Sequence, residues 1–305
     1  MPLTSPPLAG VALLALLAAG LDGCAAPGAG QDAAAPAPVG AGAIRPGNGQ
    51  QTADLEGVPI QVLTFRPPGC TVSGLLLVFH GVERNAAGYR DDAAPLAQRY
   101  CMVVAAPLFD AARFPSWRYQ RGGIVHDGAM QPAREWTVNA VPRLVAWARG
   151  KEERSDLPYT LIGHSAGAQF LSRVAAFSTN QAARTVLANP STWVRPSLDV
   201  PAPYGFSGAY APAEGEAALR AYLAENIIVL LGREDNGAHN LATSKEAEEQ
   251  GGTRYERGQN VFQEAEQTAR QHGWAFNWHL AVVPGVGHNA RRMFTSDQAF
   301  AAVRP

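Results

Sequence analysis

Apolar side chains recur along this chain at two periods, and the changes between them mark its elements. Over residues 55–65 they alternate, with Val58, Ile60 and Val62 on one side, which predicts a strand at a sheet edge. Residues 74–79 (Gly-Leu-Leu-Leu-Val-Phe) and 101–106 are continuous apolar runs, expected of strands buried on both faces, the second stopped by Pro107. Shorter runs at 159–162, 185–187, 227–231 and 278–283 predict further strands. Helical stretches fall between them, at 86–99, 135–149, 168–177, 214–225 and 259–272, with 294–303 closing the chain. In 135–149 the apolar stripe is Val138, Val141, Leu144, Val145 and Trp147. Strands alternating with helices predict an α/β domain over 55–305, with a mainly parallel sheet, helices on both faces, and neither an internal repeat nor a second domain.

The first 54 residues break this pattern. Residues 11–21 are an unbroken apolar run. As a helix they would rise about 16 Å, too short for a hydrocarbon core of about 30 Å, which favours the apolar region of a signal peptide over residues 1–23. The run ends in Leu21-Asp22-Gly23-Cys24, which resembles a bacterial lipobox, with Asp22 a departure and no Lys or Arg ahead of Val11. The resemblance implies lipidation at Cys24, and the alternative is ordinary cleavage near Ala25 or Ala26. Residues 24–54, rich in Ala, Gly and Pro, have little apolar surface to bury and are expected to be a flexible tether. The expected location is therefore outside the cytoplasm, as a cell-envelope lipoprotein or a secreted or periplasmic protein.

Composition sharpens this division. The 305 residues carry 25 basic and 26 acidic side chains, and the first Lys or Arg is Arg45. Without residues 1–23 the chain loses one charge, Asp22, and is left with 25 of each sign. A neutral domain is a poor match for nucleic acid, which recruits a basic surplus. The expected partner is an uncharged small or polymeric substrate, with membrane contact only through a lipid at Cys24 and the protein a monomer. Of three cysteines, Cys70 and Cys101 flank neighbouring apolar runs; in an oxidising compartment they are a candidate disulfide, the alternative being two buried thiols.

The chemistry concentrates in Gly163-His164-Ser165-Ala166-Gly167, which follows the strand at 159–162 and precedes a helix. This is the G-x-S-x-G pattern in its required setting. A chain that turns sharply from strand to helix presents the serine hydroxyl at the sheet's carboxyl edge. Side chains two positions to either side would clash, so both positions are Gly. The following helix N-terminus aims N–H groups at a developing oxyanion. Gly205-Phe206-Ser207-Gly208-Ala209 lacks both the fifth Gly and a preceding apolar strand.

On this motif and the alternation around it, residues 55–305 resemble the α/β-hydrolase superfamily, and within it secreted bacterial esterases of the polyhydroxybutyrate-depolymerase and feruloyl-esterase type. The resemblance implies a serine hydrolase acting on carboxylic esters through an acyl-enzyme, with the order serine, acid, histidine. Ser165 is then the nucleophile. His288, in the glycine-rich loop after the last strand, is the general base. Asp235, three residues beyond Gly232, is the acid, with Glu234 the nearby rival and Asp199 placed too early. The oxyanion donors implied are the N–H groups of Ala166 and of Val82, in the loop after Phe79. His80 is expected to brace that loop at the pocket. Trp117, Tyr119, His164 and His239 are the other candidate pocket residues, for substrate contact or loop packing. Residues 250–257 read as a solvated loop or a rim. No C-x-x-C occurs and the histidines lack ligand spacing, so neither metal nor cofactor is expected. A peptidase or acyltransferase on the same triad, and a non-catalytic surface binding protein with this fold, are the alternatives.

Overall fold

The computed structural model describes residues 42–305. The expected signal segment, Cys24 and the tether as far as residue 41 lie outside the described residues.

Eight strands form one sheet in the order β1-β2-β4-β3-β7-β8-β9-β10. They are β1 (Gly47–Asp54), β2 (Pro59–Arg66), β3 (Gly74–Phe79), β4 (Met102–Pro107), β7 (Tyr159–His164), β8 (Arg184–Ala188), β9 (Ile227–Gly232) and β10 (His279–Val283). A small separate hairpin pairs β5 (Val125–His126) with β6 (Ala129–Met130). From β4 to β10 neighbouring strands are parallel, and β2 joins them antiparallel. The helices are α1 (Ala86–Tyr100), α2 (Ala140–Lys151), α3 (Ala166–Phe177), α4 (Pro212–Ala224), α5 (Lys245–Glu248), α6 (Arg254–His272), α7 (Ala290–Phe294) and α8 (Asp297–Val303).

The continuous apolar runs are explained by what covers them. Leu75, Leu77 and Phe79 of β3 face a core that includes α2 and α3, while Leu76 and Val78 face a second core with α1, α7 and α8. Each core buries one set of alternate side chains, so no polar position remains in the strand. Every residue of α3 is buried. Arg173 in that helix is held by five bonds: Nε to the Pro203 carbonyl (3.1 Å), Nη1 to the carbonyls of Gln169 (3.2 Å) and Thr192 (3.0 Å), and Nη2 to the Thr192 hydroxyl (3.1 Å) and the Trp193 carbonyl (3.5 Å). These tie the segment after β8 down over α3. Cys70 and Cys101 are joined by a disulfide across 31 residues, with Cα atoms 6.0 Å apart.

The structure corrects four expectations. The tether does not run to residue 54: Gly47–Asp54 is β1, paired antiparallel with β2 along its whole length, and it is the sheet edge. Only Ala53 of this strand is buried, so it is held by backbone pairing and leaves no hydrophobic alternation to read. Val58 belongs to the intervening turn and is 44% exposed, while Ile60 and Val62 are buried. The helix expected from 135 begins at Ala140, behind two short 3-10 turns. Residues 250–257 are neither a solvated loop nor a rim. Gln250, Arg254 and Arg257 are buried, and α6 starts there. Thr253 Oγ1 accepts from the Glu256 N–H (3.1 Å), and Glu256 Oε2 accepts from the Gly252 N–H (2.7 Å). Thr253-Arg254-Tyr255-Glu256 carries the capping-box sequence pattern, with Glu256 reaching the N–H one residue before the N-cap.

Candidate active site

Because β7, β8, β9 and β10 are adjacent and parallel, their carboxyl ends open on one edge of the sheet. Ser165 leaves β7 at φ 56° and ψ −116°, a conformation disfavoured for a residue with a side chain. Its N–H donates to the Ala188 carbonyl of the next strand (2.9 Å). A Cβ at Gly163 would lie 2.6 Å from the Gly167 carbonyl carbon, and one at Gly167 would overlap the Phe79 carbonyl oxygen. Both glycines are therefore required by close backbone approach, and α3 starts directly against the end of β3.

His288 connects the other two strand ends to this serine. Its Nε2 is 2.9 Å from Ser165 Oγ and its Nδ1 is 2.7 Å from Asp235 Oδ2. A carboxylate can only accept, so Nδ1 carries the proton, and Nε2 is left to accept the serine O–H. Asp235 is fully buried, whereas the His288 side chain is 26% exposed. Glu234, the rival acid, is exposed, and so is Asp199.

Two side chains that the sequence reading did not assign hold this arrangement. Arg254 Nη1 lies 3.4 Å from Asp235 Oδ1 and 3.2 Å from the Gly237 carbonyl, and Nη2 donates to the His239 carbonyl (2.6 Å). Burial pulls the Arg254 pKa down and the Asp235 charge pushes it back up. Asn189, at the end of β8, accepts from the Gly232 N–H (2.8 Å) and donates to the Gly287 carbonyl (3.4 Å), bridging the acid and histidine loops. The Thr253-x-x-Glu256 pattern is the sequence signal that marks a helix start at Arg254, although residues 250–257 read as a loop or rim; nothing in the sequence singles out Asn189.

No protein-family model and no curated protein sequence matches the chain. Solved structures do. A poly(aspartic acid) hydrolase-1 from Sphingomonas sp. KT-1 shares 31% identity over 84% of this chain and 98% of its own, with a TM-score of 0.78. A poly(3-hydroxybutyrate) depolymerase from Bordetella parapertussis shares 30% over 86% of this chain and 92% of its own, with a TM-score of 0.77. The chain belongs to the α/β-hydrolase superfamily and is an enzyme of its esterase type. A siderophore hydrolase, EstA from Aspergillus nidulans, at 13% identity over 84% of this chain and 94% of its own and a TM-score of 0.51, shares the fold.

The α/β-hydrolase's candidate pocket residues separate on burial. His80 and Tyr119 are fully buried and so do not line a pocket. Nδ1 of His80 donates to the Gly81 carbonyl (2.9 Å) and Nε2 accepts the Phe109 N–H (3.1 Å). Burial lowers the His80 pKa to about 4, so the ring is a neutral brace. Tyr119 donates to the His80 carbonyl (2.9 Å) and its ring stacks with Phe109 and Phe170, because the segment after β4 folds back onto α3. His239 is exposed, with Nε2 3.0 Å from the Asn240 amide. Trp117 is half-buried, stacks on His126 at 4.1 Å, and lines a cleft of about 430 Å³ with Arg121, Tyr204 and Glu246; neither Ser165 nor His288 lines that cleft. His164 is buried against His288. Val82 is exposed at the end of β3 and Ala166 is the first residue of α3; among the described residues neither N–H donates to a protein acceptor. Both are free for an oxyanion. No cluster of metal-ligating side chains occurs among the described residues, and no helix among them is long and apolar enough to cross a membrane.

Proposed function

We propose that this hydrolase is an exported serine esterase that cleaves carboxylic esters through an acyl-enzyme. The observation that carries the reading is the continuous bonding from Ser165 Oγ through His288 to Asp235, at 2.9 and 2.7 Å. In this reading His288 Nε2 takes the serine proton as Oγ bonds the ester carbonyl carbon, and the carbonyl electron pair moves to oxygen. The N–H groups of Ala166 and Val82 receive that oxyanion. Collapse of the tetrahedral species expels the alcohol, which takes the proton from His288. Water then repeats the sequence and releases the acid. Asp235 orients the ring and balances the imidazolium, and Arg254 holds Asp235 in place.

The two relatives near 30% identity suggest a polymer substrate, a polyester in one name and poly(aspartic acid) in the other. The neutral residue balance favours the uncharged polyester and its oligomers. The polyaspartate relative supports amide cleavage as the second reading. The apolar segment ahead of Cys24 supports export, with the lipid anchor at that residue.

A fluorophosphonate probe should label the protein at Ser165, and Ser165→Ala should abolish the labelling. Activity should then appear on hydroxybutyrate oligomers or cinnamate esters in a panel that includes polyaspartate. An unlabelled wild type would sink the serine hydrolase reading, and turnover of polyaspartate alone would replace ester by amide.

A further inference from the structure

The strand end that presents Ser165 carries a second imidazole for which the triad has no use. The His164 ring lies 4.5 Å from that of His288, with 36° between their planes. Its Nδ1 is 3.0 Å from the Tyr89 hydroxyl, and its Nε2 is buried with no partner. Tyr89, in the first turn of α1, makes two further contacts. Its ring packs edge-on against Phe294 of α7, 6.0 Å away, and a Cβ at Gly81 would lie 2.5 Å from its hydroxyl oxygen. One side chain thus touches the loop ahead of Val82, the residue before the nucleophile, and the helix that follows the base.

A buried histidine that only fills space ordinarily satisfies both ring nitrogens, as His80 does. His164 gives up one bond and keeps a flat face toward a ring that must become positive during the reaction. Burial, then the charges of His288 and Arg254, push its pKa far below the ordinary value, so it stays neutral. The other titratable groups on this network are Tyr89 itself and the carboxylates of Asp92 and Glu83 beside it. A neutral aromatic face tolerates and favours a cation, where a protonated one would repel it.

We infer that His164, clamped by Tyr89, is a positioning residue for the acyl transfer: it fixes the plane of the His288 imidazole, supports the imidazolium, and couples that ring to the oxyanion loop through Gly81. It takes no proton itself; the serine proton goes to His288 Nε2 and on to the leaving group. The inference rests on the proposed Ser165–His288 chemistry.

The test compares Tyr89→Phe and His164→Leu with the wild type, in p-nitrophenyl ester kinetics across pH and in the rate of fluorophosphonate labelling. Tyr89→Phe removes one oxygen and keeps the ring packing. It should lower kcat about tenfold with KM within about twofold, and slow labelling in proportion. His164→Leu keeps apolar cover over His288 but removes the aromatic face. The acidic limb of kcat/KM, which reports His288, should move to lower pH by about half a unit. Unchanged kcat, labelling rate and limb position in a variant that merely melts lower would overturn the inference, because packing alone would then explain the contacts. Failure of the wild type to label would overturn the triad reading and the inference together, whereas a labelled wild type with unaltered variants would overturn the inference alone.

Discussion

Two histidine loops at the carboxyl edge of the sheet show how one side chain takes opposite roles. After β3 the chain reads His80-Gly81, and after β10 it reads Gly287-His288. His80 is sealed in, with both ring nitrogens committed to backbone groups. His288 is partly open, and its nitrogens face two side chains, a buried carboxylate and a hydroxyl. A buried ring bonded to backbone on both sides stays neutral near neutral pH and has no side chain with which to exchange a proton. A ring between an acceptor that cannot donate and a hydroxyl that can is ready to move a proton. What separates brace from base is the identity of the partners, which tertiary contacts supply.

The comparison breaks most sharply at His288. His288→Ala should lower ester turnover by about 10⁴-fold with the melting temperature little changed. Retention of most activity in a kcat assay would remove it from the base role. A smaller effect is expected one step outward, where Arg254 restrains Asp235. Arg254→Gln keeps a donor but loses the charge, and should lower kcat roughly tenfold with KM unaffected. A change in KM alone would instead mean that Arg254 contacts substrate.

At His80 the expected effect is on stability. Its folded pKa of about 4 is below the ordinary 6.5. Between those values the unfolded chain binds a proton that the folded protein refuses. The stabilisation is therefore complete above pH 6.5 and is lost as pH falls toward 4, amounting to about 3 kcal/mol in all. Burial pushes His164 the same way. Urea unfolding at pH 7 and pH 4.5 should show His80→Gln losing less stability across that interval than the wild type. Parallel losses would show that His80 is not held neutral.

Much of the fold was legible because its strands are buried on both faces and its elbow has a stereochemical spelling. Gly163 and Gly167 are forced by backbone approach, so Ser165 could be located without coordinates. Asp235 and His288 followed from the superfamily's order. The β1 strand was silent because an edge strand held by backbone pairing needs no apolar period. The sequence reads His80 as a brace but leaves Tyr119 open between substrate contact and packing, because an aromatic near a strand end looks alike whether it faces solvent or folds back onto α3. Asn189 and Arg254 were invisible as functional residues because their roles lie in bonds to segments 43 and 19 residues away.

By itself the sequence determined which strands run through the interior, where the chain must turn, and which serine that turn presents, since each follows from local sterics or from a period of hydrophobicity. Only the tertiary structure showed that both ring nitrogens of His80 are committed to backbone while those of His288 face a carboxylate and a hydroxyl, that a buried arginine bonds Asp235, and that His164, bonded to Tyr89, lies against His288. Those outcomes depend on groups distant in sequence meeting within about 3 Å, the range over which hydrogen bonds set orientation.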